Sequence, residues 1–242
     1  MIKGLYTSAS GMIPGLKKQE IIANNLSNSS TSGFKKDDLF VRELSRAERK
    51  LAPKKSDWQT PLVDEEYIDF RPGVFDQTGN PLDLAIEGDG FFRLQDEEGK
   101  TYLTRSGTFL VNSEGYLSYP GGLLLTSEGG PIQVGNGTVN IGKNGEVEVN
   151  GLSVGRIVPM SVADVERLEK VGRSLFAVPE GVEIVAATQP TIAQGYLETS
   201  NVDIVREMVE MIISYRDYEA NAKAIQSQDA SLDNLFNRVG GR

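Results

Sequence analysis

Glycine is confined to the middle of this chain. Of 26 glycines in 242 residues, 20 lie between Gly73 and Gly195 and six serve both ends. Glycine weakens a helix and frees a turn. The middle is therefore suited to short strands joined by tight turns, and the ends are free to run as helices.

At the N-terminal end, Leu5, Ala9, Met12, Leu16, Ala23 and Leu26 follow a 4-3 spacing broken only by polar Gln19. Such a seven-residue repeat marks a helix that packs on another helix. The cluster Asn24–Ser30 ends it, because short polar side chains compete for backbone bonds. Pro14 predicts either a kink or a helix that starts there, since an interior proline costs ~3 kcal/mol. At the other end, Ser200 and Asn201 are candidate N-caps, and Asp203 is placed to complete a capping box with Ser200. Val205, Met208, Ile212, Tyr215, Ala222, Ile225, Leu232 and Phe236 then recur at helical spacing, with Glu219 and Lys223 as an i,i+4 pair. From Val202 to Asn237 the helix would run roughly 54 Å at ~1.5 Å per residue. An apolar stripe of that length requires a neighbouring helix, from this chain or another.

The middle carries strand patterns at Asp83–Glu87, Phe91–Leu94, Tyr102–Arg105, Thr108–Val111, Tyr116–Tyr119, Val139–Ile141 and Glu146–Val149. Gly88-Asp89-Gly90 reads as the turn joining the first two, and Asn144-Gly145 as a hairpin turn joining the last two. The fold class is thus α+β: terminal helices packing as a coiled-coil-like inner domain, and a central, mostly antiparallel β domain. The expected segments are 1–30 (helical, assembly), 31–70 (linker), 71–199 (β-rich) and 200–242 (helical, assembly). Eight basic residues fall in the linker (Lys35, Lys36, Arg42, Arg46, Arg49, Lys50, Lys54, Lys55), and an acidic run with Asp64, Glu65, Glu66 and Asp69 follows. With only Trp58 and Tyr67 nearby, this reads as a solvated or intersubunit salt-bridge face rather than a base-stacking one.

Composition removes most chemistry. There is no histidine and no cysteine, so imidazole bases, thiol nucleophiles, disulfides and thiolate-bound zinc are excluded. A net charge of −9 disfavours general nucleic-acid binding. Paired carboxylates remain (Glu87/Asp89, Asp37/Asp38, Glu65/Glu66, Asp96-Glu97-Glu98), but sequence adjacency does not set two of them across a cleft. No phosphate loop or calcium loop is present. Met208 and Met211 read as helix-packing residues. The expectation is a non-enzyme with no catalytic residues, cofactor or metal. No cleavable signal sequence and no 18-residue apolar run is found.

Some stretches are more specific. Ala23-Asn24-Asn25-Leu26-Ser27-Asn28, with Thr31-Ser32-Gly33-Phe34-Lys35, resembles the N-terminal signature of bacterial flagellar rod and hook proteins. Leu82 to Phe92, containing Gly88, Gly90, Phe91 and Phe92, is similar to that family's central motif. Tyr102 to Phe109, with Arg105 and Gly107, and Asn112 to Leu117 continue the resemblance in order. Gly195 to Val202, including Ser200 and Asn201, leads to Glu207–Ile212 and Arg216–Lys223 at the far end.

The resemblance implies a structural subunit of the basal-body rod, exported without a cleavable signal by the flagellar type III apparatus. It would polymerise through its terminal helices into a periplasm-spanning drive shaft for motility. Length and the short Phe40–Pro72 stretch point to the proximal rod protein, with the distal rod protein as the alternative. The implied assembly residues are Leu5, Met12, Leu16, Ala23, Leu26, Val205, Met208, Ile212, Tyr215, Ala222, Ile225 and Leu232. The implied partners are further copies, other axial proteins and the export apparatus, with no nucleic acid or small-molecule substrate. Two competing classes are a carbohydrate-active β-domain protein using its carboxylates and an adhesin-like binding module.

Overall fold

The computed structural model describes residues 2–44, 60–127, 129–172, 174–188 and 190–239. Of the basic linker residues, Arg46, Arg49, Lys50, Lys54 and Lys55 lie outside the described residues, as does Trp58. The side chains of Leu5 and Phe236 do too.

Helix α1 spans Ile2–Ser27 and helix α2 spans Ile204–Val239. Between them run β1 (Asp37–Leu44), β2 (Thr60–Ile68), β3 (Phe75–Gln77), β4 (Leu84–Glu87), β5 (Phe92–Gln95) and β6 (Thr101–Thr104). Next come β7 (Leu110–Val111), β8 (Leu117–Ser118), β9 (Leu124–Ser127), β10 (Gly130–Pro131), β11 (Val139–Ile141), β12 (Glu146–Val149) and β13 (Leu152–Arg156). The series ends with β14 (Met160–Val162), β15 (Glu169–Lys170), β16 (Leu175–Ala177), β17 (Ile184–Ala186), β18 (Thr191–Gln194) and β19 (Tyr196–Glu198).

These elements form two compact units, neither contiguous in sequence. One holds residues 1–27, 37–69 and 203–242; the other holds 28–36 and 70–202. The stretch read as a linker thus contributes to both, and within it β1 and β2 pair as an antiparallel ladder with an irregularity between Phe40 and Val41.

In the helical unit, α1 continues through Pro14, so the helix neither ends nor begins there. Pro14 is buried and stands between Gly11 and Gly15 on the face turned to α2. Packing on that face offsets the backbone bond that the ring removes. Helix α2 starts two residues later than expected. Its N-cap is Asp203, whose carboxylate accepts from Val205 N (3.0 Å) and Arg206 N (3.1 Å). No capping box with Ser200 forms. Ser200 accepts from Val202 N instead (3.3 Å), and Asn201 is engaged elsewhere.

In the β unit every ladder is antiparallel, and the largest sheet has the order β15-β16-β6-β5-β9-β8-β7, with β10 beside β9. Its core is Leu84, Ile86, Phe92, Leu94, Phe109, Leu117, Leu125, Ile132, Val147, Ile157 and Ile192 with their neighbours. Asn144-Gly145 does sit between paired strands, β11 and β12. The loop is longer than a two-residue turn, closing through Gly142 N to the Glu146 carbonyl at 2.9 Å.

The strands on either side of the Gly88-Asp89-Gly90 turn do not pair with each other. β4 pairs with β18, Ile86 opposite Ile192, whereas β5 pairs with β6 and β9. Gly88 and Gly90 both have positive φ (97° and 126°). Here that freedom redirects the chain from one sheet to another rather than closing a hairpin.

Candidate functional site

In the helical unit α1 and α2 run antiparallel, as paired positions show. Asn25 Nδ2 reaches Glu207 (3.4 Å), Lys18 Nζ reaches Glu210 (2.6 Å), and the Ser214 hydroxyl donates to the Gly15 carbonyl (3.1 Å). A Cβ on Gly11 would lie 3.4 Å from Asn221. The Lys18 hydrogen bond, and then its charge, holds the Glu210 carboxyl below the usual carboxylate range. Asn25 is buried and uses both ends of its amide on one residue of β1, accepting from Asp37 N (2.9 Å) and donating to the Asp37 carbonyl (2.8 Å). Only an amide offers a donor and an acceptor at that reach. On the hairpin side Glu66 meets Lys17 at 2.9 Å, and that hydrogen bond raises the Lys17 pKa.

The paired positions of the two helices are therefore mostly small and polar, with Pro14, Ile21 and Ile22 buried among the described side chains of α1. The residues expected on the apolar seams are covered to different degrees. Ala23 is exposed, Leu16 is 47% exposed, and Met12 and Leu26 are partly so. On α2, Val205 is 72% exposed, Met208 49%, Ile212 54% and Tyr215 59%; Ala222, Ile225 and Leu232 are half-buried. Ile13, Ile204, Val209 and Ile213 add to the outward apolar surface. Intrachain pairing uses a second 4-3 series, Gly11, Gly15, Lys18, Ile22 and Asn25. Helical periodicity alone could not show this, because the series is not apolar.

In the β unit one motif residue, Arg105, joins Lys35 and Glu198 in a buried ionic site. Glu198, fully buried, accepts from Lys35 Nζ (2.5 Å), Gly73 N (3.1 Å) and Arg105 Nη1 (3.4 Å). Arg105 also donates to the carbonyls of Ile86 (3.2 Å) and Gly88 (2.8 Å), and its guanidinium stands 5.5 Å from the Phe91 ring centre. Burial pushes the Arg105 pKa down, opposed by Glu198 and Asp89. Phe34 is buried under Lys170 Nζ, 3.9 Å from the ring centre. Phe91 meets Phe70 and Phe176 in a cluster, and Phe92 stands edge-on to Phe109.

Glycines let backbones approach here. A Cβ on Gly107 would fall 1.5 Å from the Leu84 carbonyl oxygen, and one on Gly33 2.2 Å from Ser106 N. Gly195 N donates to the Asp83 carbonyl, and Asn201 bridges Lys36 N and the Arg71 carbonyl. Lys35, expected on a solvated or intersubunit salt-bridge face, is instead fully buried against Glu198, a residue to which the sequence assigned no role. Nothing local distinguishes a buried carboxylate from one on the surface. Asn24 is exposed.

Glu87 and Asp89 are exposed, and Asp96 caps its own turn by accepting from Glu98 N and Lys100 N. Among the described residues no cluster suited to holding a metal ion occurs, and no helix is long and apolar enough to cross a membrane.

Three family models match in order along the chain. They are the flagella basal body rod protein (residues 5–35), the flagellar hook protein FlgE/F/G D1 domain (85–149) and the flagellar basal body rod FlgEFG protein C-terminal (193–238). The chain is 33% identical to the flagellar basal-body rod protein FlgF of Caulobacter vibrioides over 243 residues, covering 99% of each. The chain belongs to the flagellar basal-body rod protein family. It is 31% identical to the rod protein FlgG of Bacillus subtilis over 263 aligned residues, covering 98% of this chain and 99% of FlgG. It is also 31% identical to the hook-basal body complex protein FlhO of the same organism, covering 99% of each. Rod-family proteins are structural components of the basal body and not enzymes, so the carbohydrate-active alternative is set aside. A buried ionic site and an outward apolar helix face suit such a role.

Proposed function

We propose that this rod-family protein is a subunit of the proximal rod that polymerises through the outward faces of α1 and α2. The observation that carries the reading is the exposure of Leu16, Val205, Met208, Ile212 and Tyr215 on helices that pair with each other through Lys18–Glu210 and Ser214–Gly15. Burying one such side chain is worth about 1.5–3 kcal/mol, repeated at every subunit. The partners are further copies and the adjoining axial proteins, and the chain reaches them through the flagellar export apparatus. The rod that results crosses the periplasm and carries torque. The proximal assignment rests on the chain's length and its short Phe40–Pro72 stretch.

Ile212→Asp tests the polymerisation step. The variant is expected to be missing from purified hook–basal bodies while the β unit keeps its fold, and normal incorporation would sink the reading. Counting chains in the same particles by quantitative mass spectrometry tests the position. Fewer copies than the longest rod component supports the proximal segment, and the highest count places the chain in the distal rod.

A further inference from the structure

We infer that the buried Lys35–Glu198–Arg105 site is a folding gate, which keeps the β unit open until the chain beyond β18 arrives. The three residues come from widely separated places: Lys35 and Glu198 are 163 residues apart, and Arg105 and Glu198 are 93 apart. All three are buried, with relative exposures of 0%, 0% and 5%.

Two cations therefore share one dry site, and Glu198 is the carboxylate that both contact. Bringing Lys35 and Arg105 together before Glu198 would strip water from two like charges without their counter-charge, which is costly at low dielectric. The carboxylate must enter with them or before them. Arg105 is tied to the end of β4 through the Ile86 and Gly88 carbonyls, so its placement is coupled to the same core that β18 completes.

The backbone enforces the same order. Glu198 closes β19, which pairs with β3, directly after β18 pairs with β4. The Glu198 carbonyl accepts from Gly33 N (2.8 Å) and Ser32 Oγ (3.2 Å), and Thr199 N donates to the Val74 carbonyl (2.8 Å). Residues 28–36 thus have partners at the far end of the unit, beside those at Ser106, Lys170 and Ser174. The loop-closure entropy of that docking must be met before its contacts form. A chain released N-terminus first keeps the β unit open until residues past Glu198 are free.

The test is refolding of the full chain from denaturant at low concentration, with pulse-labelled hydrogen exchange read at the β5 and β6 amides. Glu198→Gln is expected to slow refolding by about a hundredfold or more while unfolding changes by less than about threefold, the signature of a contact already made at the barrier. The triple variant Lys35→Met, Arg105→Met, Glu198→Met removes the charge requirement, and should refold at least as fast as the natural chain. That variant also decides the matter if Glu198→Gln fails to fold. Glu198→Gln accelerating unfolding alone would overturn the gate, because the site would then close after the barrier. So would a triple variant that refolds as slowly as Glu198→Gln.

Discussion

At the scale of single residues, the glycines divide into those that a side chain cannot replace and those that merely turn the chain. Gly107 has no room for a Cβ, because the Leu84 carbonyl oxygen would lie 1.5 Å away and is itself fixed in the ladder that begins β4. Gly79 adopts positive φ (72°) with nothing within 4 Å of the added carbon. Gly107→Ala is therefore expected to cost about 3 kcal/mol or more, since a backbone clash has no flexible end to yield. Gly79→Ala should cost only about 1 kcal/mol of left-handed strain. Chemical denaturation of both variants checks the contrast, and equal losses would contradict it. Asn25 shows the same economy in a polar residue, one amide serving both backbone groups of Asp37.

At the scale of elements, the helix pair presents an inverted arrangement: small and polar surfaces meet inside the chain, and apolar ones face outward. A cavity of roughly 380 Å³ remains between α1 and α2, bordered by Gly11, Pro14, Gly15, Lys18, Ser214 and Asn221 among others. Gly15 has no atom within 4 Å of a would-be Cβ. Gly15→Ala should then stabilise the pair by up to about 1 kcal/mol through helix propensity alone. The readout is a raised unfolding midpoint by far-UV circular dichroism, and a lowered one would show that the helices need to approach more closely in use. Stability gained without new contacts also separates propensity from packing as the source of helix order.

At the scale of the molecule, the first turns of α2 expose Ile204, Val205, Met208, Val209, Ile212 and Ile213, and an isolated helix of that kind gains little from folding. We expect backbone amides from Val205 to Leu232 to exchange rapidly in dilute monomer, faster than those of β5 and β6, and to become protected on assembly. Hydrogen exchange measured across a concentration series reads this directly. Slow exchange along α2 at the lowest concentration would count against folding on assembly.

Local chemistry determined much of this protein. Glycine's distribution separated helical ends from a strand-rich middle, and 36-residue α2 was legible because a helix leaves its signature in neighbouring residues. The absence of histidine and cysteine likewise removed whole classes of catalysis without any structure. The tertiary structure decided what depends on distant pairing. It placed β4 beside β18 rather than β5, because a strand's period states which face is buried and not which strand lies next to it. It put the 4-3 series of Gly11, Gly15, Lys18 and Asn25 inside the helix pair, where shape and hydrogen bonding outweighed hydrophobicity. It also buried Lys35, Arg105 and Glu198 together, a choice invisible in sequence because the energy of a charge is set by the partners and the water around it.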